Sequence, residues 1–399
     1  MTLMKMKDVC IKIGSGSTPK GGKESYVSTG TTLIRSQNVL DFSFSYNGLA
    51  FLNEQQALKL NNVIVKKGDV LLNITGDSVA RSCIVEENVL PARVNQHVAI
   101  VRSNSEIVLN SYLLYYFQTV KPYLLQLAAG GATRNALTKG MIEDLLIEVP
   151  DINIQRKITS VLDVIQGKIK INQKINENLT EQARAIFQEW FIDYEAFGGT
   201  VPSDWHSSTL GQIANIKTDS WSPAKNPNVV VEHYSIPAFD EHHYPVFEIA
   251  SGIKSNKYIL NPESVMISKL NPETKRIWRP MCLSAHPVCS TEFIVYEAKK
   301  QEQRDYIYSI LDSVPFLNHL CSHTTGSTNS RQRTAPKSTL DFTLYLPPDS
   351  IIEDFCRIVT PMYDLIDSNI VENQSLAKTR DSLLPRLMSG DLDVSELDL

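Results

Sequence analysis

The sequence contains no run of about 18 apolar residues, so no segment of it can cross a membrane as a helix. Paired cysteines are also missing. Cys10, Cys83, Cys282, Cys289, Cys321 and Cys356 are scattered without CxxC or framework spacing, which argues for a reducing compartment over a disulfide scaffold. The first twelve residues mix lysines with short apolar stretches and lack the continuous apolar core of a secretion signal. These absences predict a cytoplasmic chain in a reducing compartment. An excess of positive charge is lacking too: 39 Lys and Arg stand against 44 Asp and Glu, a net charge of −5, which at first argues against a nucleic-acid partner.

Catalytic motifs are equally scarce. In the stretch Gly14 to Lys23, Gly16 and Gly21 have the gap of a phosphate loop, but Gly22 stands where lysine is required. Pro19 occupies the third glycine position of a dinucleotide fingerprint, so a turn between strands is expected there. His319 and His323 are four residues apart with no further ligand set around them, and a polar loop before Gly326 is expected rather than a metal site. Asn261-Pro262 and Asn271-Pro272 lack the second proline and the aromatic of an amino-methyltransferase. No nucleophile stands in a specific context. The expectation is a chain with no catalytic residue, no metal and no cofactor of its own.

What the sequence does have is length and repetition. At 399 residues it exceeds one domain, and 42% hydrophobic with 21% charged residues is ordinary for a folded protein. Met6 to Ile13 followed by Ser17-Thr18-Pro19 aligns with Leu210 to Ile216 followed by Trp221-Ser222-Pro223. Lys67 to Leu72 resembles Glu263 to Ser268, each leading to a polar turn with Asn73 or Asn271. A heptad seam then runs through Ile158, Leu162, Ile165, Ile169, Asn172, Asn176 and Leu179, and on through Ala183, Ile186 and Trp190. The positions 197 further on are Phe355, Val359, Met362, Ile366, Asn369, Asn373 and Leu376, then Arg380, Leu383 and Leu387. Both asparagines recur, and a buried Asn commonly sets register and partner choice.

Two helices of roughly 33 residues, about 50 Å each, are therefore expected to pair with one another, with Pro361 kinking the second or marking its start. Pro150 and Pro347 bound the layout: residues 1–150 globular, 151–197 helical, 198–347 globular, and 348–399 a helix with an acidic tail. Strands are expected at Leu33 to Arg35, Val63 to Val65, Val70 to Leu72, His97 to Val101 and Phe293 to Tyr296, and helices over Asn110 to Val120 and Gln303 to Leu311. The globular parts are α+β.

Duplicated domains without chemistry suggest a reader of two sites, with DNA the natural substrate. Base edges are read by Arg, Lys, Asn and Gln, and phosphates by the same cations with hydroxyls. Such residues follow the expected strands as Arg35, Gln37, Asn38, Asn73, Thr75, Arg93, Asn95, Gln96 and Arg134 in the first half. In the second half they are Lys269, Asn271, Lys275, Arg276, Arg279, Arg331 and Arg333. The competing reading is a non-catalytic protein-interaction scaffold with duplicated domains and no DNA role.

The run Leu376-Ala377-Lys378-Thr379-Arg380-Asp381-Ser382-Leu383-Leu384-Pro385-Arg386-Leu387-Met388-Ser389-Gly390 resembles the terminal conserved helix of Type I restriction-modification specificity subunits. Ala185 to Phe191 and Pro202-Ser203-Asp204-Trp205 resemble that family's central region. The resemblance implies two target-recognition domains separated by two long antiparallel conserved helices that form a coiled-coil spacer, a pseudo-twofold repeat. It implies a bipartite double-stranded DNA target and no chemistry in this chain. Two modification subunits using S-adenosylmethionine, and two restriction subunits using ATP and Mg, are the implied partners. The charged run Lys299 to Arg304 and Pro361 depart from the family pattern. A 50 Å helix spans roughly 15 base pairs, which suits a split site.

Divided by segment, the charge excludes less than its total suggests. Residues 1–150 hold 15 basic and 12 acidic side chains, and 198–348 hold 14 of each. Residues 349–399 hold 4 basic and 11 acidic, so the deficit sits in the last helix and its tail, where Asp391, Asp393, Glu396 and Asp398 are expected to be solvated.

Overall fold

The computed structural model describes residues 2–130, 135–325 and 332–397. The chain forms two units, Met1–Lys170 with Gln374–Leu399 and Ile171–Asn373. Two 40-residue helices, Ile152–Phe191 and Asp349–Met388, each contribute one part to each unit. At 1.5 Å per residue each is about 60 Å long.

The two units repeat one order of elements. In unit 1 the Thr2–Lys5 strand pairs antiparallel with Leu146–Val149, and a single helical turn, Met6–Val9, leads into the strand Cys10–Ser15. In unit 2 His206–Thr209 pairs with Thr343–Leu346, and Leu210–Ile213 leads into Ala214–Lys217. Each unit then builds two larger sheets, and unit 2 adds the short pair Thr324–Thr325 with Arg333–Thr334. The first is antiparallel: in unit 1 Val98–Ser103 lies between Cys10–Ser15 and Val70–Asn73, and in unit 2 Phe293–Ala298 lies between Ala214–Lys217 and Ser264–Ser268. The second contains a parallel pair, Thr31–Ile34 with Ala92–Val94 in unit 1 and Val230–Tyr234 with Pro287–Ser290 in unit 2.

Helices cover these sheets because their apolar positions recur at helical spacing. Asn110–Thr119 buries Tyr112, Leu113, Tyr115 and Phe117, and its counterpart Arg304–Asp312 buries Tyr306, Ile307, Ile310 and Leu311. The long helices complete each core. Ile158, Leu162, Leu384 and Leu387 join the unit 1 core, while Ala183, Phe187, Phe355 and Val359 join that of unit 2.

All fourteen seam positions from Ile158 to Leu179 and from Phe355 to Leu376 are buried or half-buried. Within unit 2 the asparagines meet across the two helices. Asn172 Nδ2 donates to Asn373 Oδ1 at 2.9 Å and to Glu372 Oε2 at 2.7 Å, and Asn369 Nδ2 donates to Asn176 Oδ1 at 2.8 Å. As one number rises the other falls, so the helices run antiparallel there. In unit 1 the seam is apolar apart from Arg380, whose Nη1 donates to Gln166 Oε1 at 2.7 Å and whose guanidinium lies 3.9 Å from the Phe42 ring centroid.

Four local expectations need correction. Val63 to Val65 is not a strand: a 3-10 turn, Asn61–Val63, precedes an extended stretch that bridges the sheet once, Ile64 to Arg93. Asn61 and Asn62 favour the turn. Pro361 does not start the second long helix, which begins twelve residues earlier at Asp349 and continues through it. Its ring lies on an exposed turn, where water can satisfy the carbonyl it strips of a donor. His319 sits in the helix Val314–Ser322 rather than a loop, and its Nε2 meets the Ser338 carbonyl at 2.9 Å. The segment after the second long helix is exposed at Asp391, Asp393 and Glu396, as expected, but not throughout: Val394 is 3% exposed within the unit 1 core, and Lys157 Nζ donates to the Ser395 carbonyl at 2.5 Å. Asp398 lies outside the described residues.

Candidate nucleic-acid interface

Register places the polar clusters of unit 1 at one end of its sheets. The parallel strands Thr31–Ile34 and Ala92–Val94 finish side by side, and Asn73, last residue of its strand, pairs with Val98, first of the next. The residues that follow or precede these ends, Arg35 to Asn38, Asn73 to Thr75 and Asn95 to His97, therefore share one rim.

Burial divides them. Asn38 is fully buried; its Oδ1 accepts from Arg35 N at 3.1 Å and its Nδ2 donates to the Ser45 and Asn47 carbonyls at 3.0 and 3.2 Å. Asn73, also fully buried, donates to the Ser36 and Val39 carbonyls at 2.9 and 3.2 Å, and its Oδ1 is buried without a partner among the described residues. Arg93 is buried on the Ala57 and Ala92 carbonyls and Asn61 Oδ1, and that burial lowers its pKa from the usual arginine value. Asn95 is buried and accepts from His97 N at 2.9 Å. These four shape the rim from inside.

Arg35, Gln37, Thr75 and Gln96 reach its surface. Arg35 Nη2 donates to the Gly48 carbonyl, and its guanidinium lies 5.7 Å from the Tyr26 ring centroid. Gln37 is exposed beside the Asn47 and Gly48 carbonyls. Thr75 and Gln96 belong to a chain of contacts that includes two residues not singled out in the sequence, Thr18 and His97. Thr18 comes from the loop after Cys10–Ser15, about 80 residues away in the chain, so no local signal points to it. Arg134 lies outside the described residues.

In unit 2 the same residue types have different partners. Lys269 and Asn271 follow the Ser264–Ser268 strand, as Ile74 and Thr75 follow Val70–Asn73. Lys269 Nζ donates to the Thr291 carbonyl at 2.7 Å, and the buried Oδ1 of Asn271 has no partner among the described residues. Arg276 forms a two-pronged pair with Asp240 at 2.6 and 2.9 Å, and Arg333 another with Glu292 at 2.9 and 3.1 Å. The Arg333 guanidinium holds the Glu292 carboxyl below its usual pKa.

Lys275 and Arg279 turn the other way, toward the long helices. Lys275 Nζ meets Asp312 Oδ1 at 2.6 Å, and Arg184 of the first long helix holds the same carboxylate, Nε to Oδ2 at 2.5 Å. Arg279, 6% exposed, binds Asp305 at 2.8 Å and Asp364 at 2.5 Å, and also touches Asp367. Burial alone would raise the Asp305 pKa, but Arg279, with Arg304 and Thr360, brings it below the ordinary carboxylate value. Asp367 is raised to about 6: burial leads, and Arg279 is already shared among three carboxylates. Arg331 lies outside the described residues.

Among the described residues no group of three or more His, Cys, Asp or Glu could hold a metal, and no helix is long and apolar enough to cross a membrane. The arrangement can present amides, hydroxyls and guanidinium groups to a polar partner.

Residues 1–181 match the family described as Type I restriction modification DNA specificity domain. The chain is 25% identical to the Type I restriction enzyme MjaIX specificity subunit of Methanocaldococcus jannaschii, over 98% of this chain and 94% of that protein. It is 22% identical to the Type I restriction enzyme HindI specificity subunit of Haemophilus influenzae, over 82% of this chain and 87% of the relative. Among solved structures, the S subunit of a Type I restriction-modification system from M. genitalium shares the fold with a TM-score of 0.57 at 15% identity, over 97% of this chain and 95% of that one.

Proposed function

We propose, from the premise that this chain belongs to the family of Type I restriction-modification specificity subunits, that it reads a split double-stranded DNA target, one half with each unit. Specificity subunits are non-catalytic, and the family brings no cofactor of its own. The partners in this reading are two modification subunits, which bind S-adenosylmethionine, and two restriction subunits, which use ATP and Mg, all in the cytoplasm. Residues 1–150 and 198–347 are the two target-recognition domains, and 151–197 with 348–399 are the spacer segments. The exposed Gln37, Gln96 and Arg333 and the half-buried Arg35, Thr75, Lys269 and Arg276 meet DNA in this reading, and Asn38, Asn73, Arg93, Asn95 and Asn271 support the loops that carry them. Lys275 and Arg279 act as positioning residues through the helices.

The observation that carries this reading is that two units of one topology each bring polar clusters to the ends of matching strands. Exchanging residues 1–150 for those of another family member tests it. Sequencing the DNA methylated by the assembled complex should show one half of the target changed and the other kept. A change in both halves, or in neither, would sink the reading. Absence of salt-sensitive association with duplex when the modification subunit is present would favour the protein-interaction scaffold instead.

A further inference from the structure

We propose that Gln96 reads an adenine in the major groove of the half-site taken by unit 1, with its amide held in reading position by Thr18 and His97. The inference rests on the DNA-reading function and deepens it to one residue and one base.

The backbone on either side of Gln96 is pinned. Asn95 N donates to the Ile34 carbonyl at 3.0 Å, His97 N to Asn95 Oδ1 at 2.9 Å, and Ile74 N to the His97 carbonyl at 2.9 Å. Gln96 is the exposed residue between two fixed neighbours. The loop that brings Thr18 is fixed as well: Gly16 N donates to the Asn95 carbonyl at 3.0 Å, and a Cβ on Gly16 would stand 1.9 Å from the Val94 carbonyl oxygen. Only glycine lets that loop cross here.

The side chain is then oriented by its contacts. Thr18 Oγ1 donates to Gln96 Oε1 at 2.5 Å, Gln96 Nε2 donates to His97 Nε2 at 3.1 Å, and Thr75 Oγ1 lies 2.5 Å from His97 Nδ1. For Gln96 Nε2 to donate, His97 Nε2 must be the acceptor, which puts the ring proton on Nδ1, facing Thr75. A primary amide has two N–H groups and two lone pairs. Thr18 takes one lone pair and His97 one N–H, and among the described residues no other protein group takes the remaining two. Turning the amide over exchanges which neighbour receives and which donates, yet one donor and one acceptor still face outward. That pair complements adenine, which offers N7 as acceptor and N6–H as donor in the major groove. Guanine offers two acceptors there and would set O6 against the amide oxygen. Fixing a reading side chain through a second layer of hydrogen bonds favours discrimination, because the chain is ordered before DNA arrives.

The test uses the full chain assembled with its modification subunit and a library of random duplexes, from which bound sequences are selected. Wild type should require adenine at one position of the half-site. Replacing that adenine with 7-deazaadenine removes N7 but keeps N6–H, so it should weaken binding by part of the roughly 5- to 150-fold that one two-pronged base contact is worth. Gln96→Ala should abolish that loss and make the position degenerate, with unfolding behaviour unchanged because the side chain is exposed. Gln96→Glu should shift the preference toward cytosine, whose N4 donates to a carboxylate. Thr18→Val should relax the same position by a smaller factor. If Gln96→Ala keeps the wild-type preference at every position, the inference is overturned and the DNA-reading function stands. If wild type selects no sequence at all, both fall together.

Discussion

The two units carry similar residues at matching strand ends, yet their electrostatics differ. In unit 1 the half-buried guanidinium of Arg35 rests on a carbonyl and beside Tyr26 with no carboxylate on it among the described residues, and Gln96 is held by neutral groups. In unit 2 Arg276 and Arg333 are each clasped by a carboxylate, Asp240 and Glu292. A phosphate meeting unit 1 finds a cation. A phosphate meeting unit 2 must compete with an existing partner. The segment charges, 15 basic against 12 acidic and 14 against 14, carry the same difference.

The attachments of the units to the helices differ in kind as well. Unit 2 uses Arg279 among Asp305, Asp364 and Asp367, and unit 1 uses Arg380 of the second long helix over Phe42. A buried cation needs all its charge compensated, whereas a cation over an aromatic ring loses little when the ring alone remains.

The largest expected effect separates these two attachments. Asp305→Asn should cost about 3–5 kcal/mol, because Arg279 and Asp305 are both almost fully buried. Arg380→Ala should cost about 1–2 kcal/mol. Residue-resolved hydrogen exchange in urea measures each within its own unit, and equal losses would erase the distinction.

A smaller effect has the opposite sign. The raised pKa of Asp367 means the folded chain binds that proton more tightly than the unfolded chain. Its contribution is therefore stabilising below the ordinary carboxylate pKa and is lost as pH rises through about 6. Asp305, with its lowered pKa, contributes stability above the ordinary value and loses it as pH falls. Asp367→Asn should accordingly raise the melting temperature at pH 7.5, by an amount worth about 1 kcal/mol after allowing for partial exposure, and change it little at pH 5. Destabilisation at pH 7.5 would show that the pair with Arg279 outweighs burial.

The smallest effect concerns the rims. Arg35→Ala should reduce the slope of log affinity against log salt by about 1. Arg276→Ala should leave the slope nearly unchanged, and Asp240→Asn should steepen it by freeing Arg276. Equal slopes for the two arginine variants would mean that the ion pairs of unit 2 open on DNA.

Much of the fold was legible because it is written in short periods. The seam from Ile158 to Leu179 and its image from Phe355 to Leu376 specify two helices without any knowledge of their surroundings. The offset of 204 between Met6 and Leu210 marks the same helical turn and strand in both units. Local signals failed where a neighbour decided the outcome. Val63 to Val65 is apolar enough for a strand but takes a turn from Asn61. Val394 lies in an acidic stretch yet is buried because the unit 1 core receives it.

The repeat, the paired helices and the kinds of residue that follow the strands can be read from the order of amino acids alone, since each depends on spacing within a few turns or on comparison of two stretches. Tertiary structure alone decided which of those residues are available. Arg276 and Asp240, Arg333 and Glu292, and Lys275 and Asp312 are separated by 36, 41 and 37 residues, and Thr18 and Gln96 by 78. A charge is compensated, or an amide oriented, only by groups within a few ångströms, and the sheets bring those groups together regardless of their distance along the chain.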